Sequence, residues 1–412
     1  MKPKLLYIIP QNPYPPIDGG KIGLYYPNIY LKEYFDLFCY FRDDNPEKAK
    51  ATVGHFESEG IKANYYLKDI KDTPLMLLKN FLEESPFKWK KYFDKKALLN
   101  MIHLIEKENI NFILVSSPHM MDYAIKIKHF IPSIKIILRE HNIESELVKQ
   151  FMFLIKNPFF KLIAKWQHDK SIKREIYYWS LIDKVCFISD SDYKKALELA
   201  PHLKAKYELV YDGFNISEKI DSSNLDIDKE PFTFIFSGSL RTLQNRYNLN
   251  WYIENIWKKF IISTYGNKYK LYITGNSVED LKKYFIIPYE KLKSYNIINL
   301  GFVDNINEII KTKEYFLSPT IIGSGIRLKV LHAMSLGMVT FLTDIDYKMV
   351  EYFKDMENVV LFRNYDEFLE KVIKLENSKV LKDNISVNAY NLIKDKLNWN
   401  RYAEKMSLII KD

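Results

Sequence analysis

Short apolar runs alternate along this chain with longer stretches in which apolar residues recur at helical spacing. In the first half the runs Leu5–Ile9, Phe112–Val115, Ile134–Leu138 and Val185–Ile188 read as strands. In the second half the strand candidates are Phe234–Phe236, Leu271–Ile273, Ile297–Leu300, Tyr315–Leu317, Val339–Leu342 and Val359–Phe362. Strands separated by helical patterns predict parallel sheets with helices on both faces. These ten candidates exceed the usual complement of one sheet, so the pattern predicts two. The stretch between Asp212 and Pro231 is polar, lacks a sustained apolar period and predicts the break between two domains.

Length agrees with that division, because 412 residues are too many for one typical core. A hydrophobic content of 47% with 27% charged residues is that of a globular protein. Lys and Arg number 61 against 52 Asp and Glu, a net charge of +9 that favours acidic partners such as nucleotide phosphates or an anionic membrane. Nucleic acid is the weaker use of that charge, since the basic residues are dispersed and no recognised module is present. With only Cys39 and Cys186, a disulfide framework and a thiolate zinc site are both excluded. The opening MKPKLLYIIP has too short an apolar run for a signal peptide, and no run reaches the roughly 18 apolar residues of a membrane span. The expectation is a cytoplasmic enzyme.

Polar loops follow several of the predicted strands, where ligands of doubly wound sheets bind. After Tyr315–Pro319 the chain reads GSGIRLKVLHAMSLG from Gly323 to Gly337. Gly323 and Gly325 allow close backbone approach, and Arg327 and Lys329 fall where a helix opens, an arrangement suited to a diphosphate. An ordinary strand-loop-helix connection with a solvated basic face would show the same residues. After Leu5–Ile9, Gly19, Gly20 and Lys21 are available for a tight loop near an anion. After Phe234–Phe236 come Gly238, Ser239, Arg241 and Asn245. His119 follows Phe112–Val115, while His141, Asn142 and Glu144 follow Ile134–Leu138. Five such loops together favour a binding cleft.

In order and spacing these segments resemble the family-four glycosyltransferases of the GT-B fold, particularly bacterial enzymes of surface-polysaccharide assembly. Arg139–Glu144 is similar to their R-x-H-N-x-E segment, Phe187-Ile188-Ser189 to the strand closing the first domain, and Tyr211–Asn215 stands at their P-N-G-V-D. Phe236–Asn245 resembles F-x-G-S…N, Gly301-Phe302-Val303 the G-F-V turn, and Ser318–Gly337 the G-x-G-I-R-x-K-x-L-E-A-M-x-x-G segment. The resemblance runs from about Leu5 to Tyr402.

It implies an α/β architecture of two doubly wound Rossmann-like domains facing a central cleft. Residues 1–212 would form the acceptor side, 213–390 the nucleotide-sugar domain, and 391–412 a helix returning to the first, with Trp399 as its anchor. The implied reaction moves a sugar from a nucleotide diphosphate sugar to a hydroxyl of a glycan or lipid-linked acceptor, with retention and without metal or separate cofactor. Donor contacts are then expected from Gly19, Gly20, Gly238, Ser239, Arg241, Asn245, Gly323, Ser324, Gly325, Arg327, Lys329 and His332. His141, His119 and Glu144 are the candidates for catalysis. Each histidine would bind the sugar or take a proton, or else cap a loop; Glu144 would orient His141 or form a structural pair. Asp190-Ser191-Asp192 formally matches a metal-binding D-x-D, but its place at a helix start reads as a cap.

One departure stands out. Relatives often carry two glutamates eight positions apart, where this chain has Ser324 and His332. A neutral imidazole accepts one hydrogen bond, whereas a carboxylate takes both ribose hydroxyls. An active transferase and a non-catalytic relative acting as a binding subunit therefore both stay open. A GT-B epimerase would be expected to carry more cleft carboxylates. Finally, Phe151–Glu175 holds six Lys and Arg against two acids, with five interleaved aromatics. The stripe reads as core, with peripheral contact to an anionic membrane at the inner face as the second expectation.

Overall fold

The computed structural model describes residues 2–70, 80, 83–216 and 229–412. These divide into two compact units: one comprises the chain up to Asp212, Ser324–Ile326 and Trp399–Asp412, the other Gly213–Gly323 and Arg327–Asn398. Much of the polar stretch expected to separate the domains, residues 217–228, lies outside the described residues.

The first unit is built on a seven-stranded sheet in the order β3-β2-β1-β4-β5-β6-β7, parallel throughout. Its strands are β1 (Lys4–Ile9), β2 (Asp36–Asp43), β3 (Lys62–Leu67), β4 (Phe112–Ser116), β5 (Lys135–Glu140), β6 (Lys184–Phe187) and β7 (Tyr207–Leu209). Around it lie α1 (Gly19–Leu31), α2 (Pro46–Ser58), α3 (Lys95–Glu108), α4 (Met121–Phe130), α5 (Glu144–Met152), α6 (Pro158–Leu181) and α7 (Asp190–Leu199). β1 and β4 are continuous apolar runs because helices cover both faces of the sheet.

The second unit carries a six-stranded parallel sheet in the order β10-β9-β8-β11-β12-β13. It comprises β8 (Glu230–Ser237), β9 (Lys270–Thr274), β10 (Ile297–Gly301), β11 (Lys313–Ser318), β12 (Val339–Leu342) and β13 (Val360–Leu361). Helices include α8 (Leu243–Tyr252), α9 (Val278–Tyr284), α10 (Leu328–Ser335), α11 (Tyr365–Glu376) and α12 (Lys379–Asp395). Phe234, Tyr315, Phe341 and Phe368 pack as one aromatic core, with Phe234 4.9 Å from Tyr315 and 5.2 Å from Phe341 between ring centroids. The last helix, α13 (Trp399–Lys411), belongs to the first unit, where Trp399 is wholly buried and stacks on Tyr26 at 5.8 Å.

Three strands are absent from the ten read in the sequence. β2 begins and ends on Asp, β7 is three residues long, and β3 is an edge strand in which only Ala63 and Tyr66 are buried. The core reading of the 151–175 stripe is also corrected. Phe153, Phe159, Phe160 and Leu162 are 71%, 65%, 58% and 66% exposed. The buried residues of α6 are Ser171, Glu175, Tyr178 and Trp179, all in its second half. A helix of 24 residues spans about 36 Å, roughly twice a six-residue strand, so its first half outruns the sheet.

Candidate functional site

In the second unit, two loops leave the carboxyl ends of adjacent strands β8 and β11. Each is pinned by a buried asparagine. Asn276 Oδ1 accepts from Leu240 N at 2.7 Å, and its Nδ2 donates to Gly238 O at 3.1 Å. Asn248 Oδ1 accepts from Ile321 N and Ile322 N at 3.1 and 3.0 Å, and its Nδ2 donates back to Ile322 O at 3.0 Å. Burying an amide is costly unless its bonds are made, so these contacts hold the loops in one shape. Neither asparagine was singled out from the sequence; the Asn245-x-x-Asn248 spacing, which puts both on one face of α8, was the available signal.

The cations come next. Lys329, in the first turn of α10, directs Nζ to Asn245 Oδ1 at 3.4 Å and Ser237 O at 3.5 Å, 4.4 Å above the Phe236 ring. Burial, aided by the Arg327 charge and opposed by Asp346, lowers its pKa to about 8. Arg327, the N-cap residue of α10, sets Nε 3.5 Å from Asp346 Oδ1 and Nη2 3.5 Å from Ile322 O. A Cβ on Gly323 would stand 1.3 Å from that Nη2, so only glycine leaves room for the guanidinium. Gly238 likewise leaves room for Asn245, whose Nδ2 would be 2.8 Å from a Cβ there. Gly238, Asn245, Lys329, Gly323 and Arg327 thus surround the start of α10, where free N–H groups and two cations suit an anion.

Arg241 stands apart from that group. It is largely exposed, and its Nε donates to Asp280 Oδ1 at 2.8 Å in the first turn of α9. Ser239 is a loop residue whose carbonyl accepts from Asn245 Nδ2 at 3.1 Å. His332 stacks on Phe214 with centroids 4.7 Å apart, and its Nε2 meets Asn307 Oδ1 at 2.6 Å. Burial lowers its pKa to about 4, so the ring is neutral at pH 7. An amide oxygen at Nε2 calls for a proton there, which leaves Nδ1 as the acceptor.

In the first unit the candidate catalytic residues gather at the ends of β4 and β5. Arg139 is fully buried and ion-paired with Asp212, and its guanidinium lies 5.3 Å from the Tyr402 ring. Its Nη1 donates to His141 Nε2 at 2.6 Å, and Ser116 Oγ meets the same nitrogen. Guanidinium only donates, so this His141 nitrogen is an acceptor and the ring is neutral. Burial first, then the Arg139 charge, holds its pKa well below the ordinary value. His119 Nδ1 lies 2.6 Å from Ser117 Oγ, with Trp89 and Tyr92 rings at 6.0 and 5.1 Å. Burial, then Lys88 and Lys91, lowers its pKa to about 3. Glu144 opens α5; burial, opposed by Lys88 and reinforced by Asp192, raises its pKa to about 7.

Two loop expectations are corrected. Gly19 and Gly20 form no tight loop but the first residues of α1, capped by Asp18, whose carboxylate accepts from Lys21 N at 2.9 Å. The cap of α7 is Ser189, whose Oγ accepts from Asp192 N at 3.2 Å. Asp192 instead accepts from Ser324 Oγ at 2.6 Å and Gly325 N at 3.0 Å. Gly325 has φ +71°, and a Cβ there would lie 2.2 Å from His141 O. Among the described residues no three His, Cys, Asp or Glu side chains gather as metal ligands.

Residues 231–378 match the family of glycosyl transferases group 1. An uncharacterised 44.6 kDa protein of the cps region of Klebsiella pneumoniae is 24% identical over 95% of this chain and 96% of its own length. The capsular polysaccharide biosynthesis glycosyltransferase CapH of Staphylococcus aureus is 24% identical over 64% of this chain and 69% of its own. The solved structure of Anabaena HepE with UDP and glucose superposes with a TM-score of 0.67 at 10% identity, covering 99% of each chain. Two parallel sheets flanked by helices, followed by α12 and α13, are the GT-B fold. The chain is a GT-B glycosyltransferase related to the family-four and capsular-polysaccharide enzymes.

Proposed function

We propose that this glycosyltransferase takes its sugar from a nucleotide diphosphate donor held by the second unit. The acceptor would be a hydroxyl of a glycan or lipid-linked carrier in bacterial surface-polysaccharide assembly. The observation that carries this reading is Lys329: a half-buried lysine at a helix start, its ammonium held by two oxygens and a ring face rather than by a carboxylate. Negative charge builds on the leaving diphosphate in the transition state, and fixed donors there stabilise it without reorganising. Lys329, Arg327 and the α10 amides supply those donors. Arg241, engaged by Asp280, plays a smaller part. Residues 1–212 would serve the acceptor, with His141, His119 and Glu144 nearest the transferred sugar; the neutral histidines suit hydroxyl recognition. Retention of configuration follows the family resemblance, and the names of the capsular relatives and of the UDP-bound structure make UDP-sugars the first donors to try.

Among the described residues no helix is long and apolar enough to cross a membrane. The exposed Phe153, Phe159, Phe160 and Leu162, with Lys156 and Lys161 between them and Lys165 just beyond, instead suit an anionic bilayer surface. A cytoplasmic enzyme resting on the inner face of the membrane would meet a lipid-linked acceptor there.

Calorimetry against UDP, GDP, CDP, ADP and their sugar conjugates, without added metal, tests the donor reading. One nucleotide should bind selectively, and Lys329→Ala should weaken it about 10- to 100-fold, the worth of a charged hydrogen bond. Arg241→Ala should cost about threefold, as an exposed ion pair does. Well-folded protein that binds none of them would refute the reading.

A further inference from the structure

The turn that carries His141 and Glu144 is held from a distance of 31 positions in sequence. Glu175, fully buried in the second half of α6, accepts from Glu144 N at 2.7 Å and Ser145 N at 3.3 Å, and Ser145 Oγ donates to its other oxygen. His168, two turns earlier on α6, sets Nδ1 2.9 Å from Ser145 O. α5 has no side-chain cap from its own N-cap residue: Ile143 stands there and offers no side-chain oxygen. Its free N–H groups would otherwise be buried without partners, a cost that a carboxylate at the positive end of the helix removes. Glu140, at the end of β5, is also fully buried, and neither of its oxygens meets a protein donor.

We propose that Glu175 is a positioning residue for the catalytic turn: as an ionised cap supplied by α6, it fixes where Glu144 and the preceding His141-Asn142 segment stand. The inference rests on the transferase reading of that turn, but the cap itself does not. Three donors converge on Glu175 and none on Glu140. Glu175, met by three donors, is therefore the carboxyl placed to carry charge, and Glu140, met by none, the one placed to stay protonated. Burial first, then the Glu175, Glu144 and Asp192 charges, raises the Glu140 carboxyl, while burial and the Glu144 charge raise Glu175 against the lowering pull of its Ser145 and Glu144 hydrogen bonds. The charged groups facing the cluster are therefore Glu140 on β5, Glu144 on α5, Asp192 on α7, and Lys88 beside Glu144. Loss of the Glu140 proton at alkaline pH sets a second buried charge against Glu175 and loosens the turn.

Amide hydrogen exchange of the full chain separates the cap from the chemistry. Glu175→Ala should speed exchange at Glu144 and Ser145 about tenfold or more, while Glu175→Gln, which keeps an acceptor oxygen, should restore most of the protection. In transfer assays Glu175→Ala should lower kcat about tenfold or more, with donor KM changed less than about twofold. The alkaline limb of the rate profile should move in Glu175→Gln, where Glu140 titrates alone. Wild-type exchange rates at Glu144 and Ser145 in Glu175→Ala would overturn the proposal. So would faster exchange with unchanged kcat and pH profile. Wild-type protein that transfers no sugar, yet shows the exchange change, would overturn the transferase reading while keeping the cap. If Glu175→Ala does not fold, unchanged exchange in Ser145→Ala together with an unchanged alkaline limb in Glu175→Gln overturns the proposal in its place.

Discussion

His332 lies almost parallel to Phe214, 20° between ring planes, while Asn307 holds its Nε2. The imidazole is thus a packed and oriented group at the position where the family resemblance leads one to expect a carboxylate. His332→Glu removes the ring contact, worth about 0.5–1.5 kcal/mol. It also sets a charge against an amide now turned to accept. The melting temperature should fall by a few degrees, and affinity for the preferred nucleoside diphosphate should fall severalfold by calorimetry. An affinity gain of about tenfold or more would show that the ring is a remnant of a lost carboxylate rather than an adapted group.

With Lys329 at the proposed diphosphate site, donor binding should depend on pH. Its pKa of about 8 means that the ammonium loses its proton as pH rises through that value. Diphosphate affinity should therefore be full below pH 8 and decline above it, by up to about tenfold per unit. Lys329→Arg stays charged throughout and should flatten that decline even if it weakens binding. Titrations from pH 6.5 to 9.5 in one buffer series would read the difference; a flat wild-type profile would remove Lys329 from the diphosphate site.

The uncovered first half of α6 gives a surface prediction. Phe159→Ser combined with Phe160→Ser should reduce sedimentation with anionic vesicles at least about fivefold, since each ring carries apolar area into the interface. Neutral vesicles should bind wild-type protein more weakly, as Lys156, Lys161 and Lys165 then gain nothing from the lipid charge. Equal binding of variant and wild type would rule this face out as the docking surface.

Stability of the first unit should depend on its last helix. Trp399 is fully buried between Tyr26 and Tyr402, the latter 5.3 Å away edge-on. Trp399→Ala should cost about 3–5 kcal/mol by the cavity it leaves, and Trp399→Phe distinctly less. Urea unfolding of both variants would check the order; a small loss for alanine would mean that α13 contributes little to the packing of this unit.

Apolar runs such as β1 and β4 were legible because a strand buried on both faces must be apolar along its whole length. β3 was not, because at the sheet edge only Ala63 and Tyr66 are buried and KANYYL holds no continuous apolar run. The same holds for function-bearing side chains. The sequence shows that glycines and cations follow β8 and β11, but not that Lys329 would turn in to Asn245 and Phe236 while Arg241 turns outward to Asp280.

What the sequence alone determined is local: the alternation of strand and helix, the loops that need glycine, and the family pattern that places them in order. Tertiary structure decided which of those residues meet. Arg139 and Asp212 pair across 73 positions, Glu175 caps a helix 31 positions earlier, and the aromatic first half of α6 is left bare. Periodicity reports which side of an element is apolar, because it is set by bond geometry over a few residues. Whether anything covers that side, and which charge finds which partner, depends on chain segments far apart in sequence that only the packed fold brings within reach.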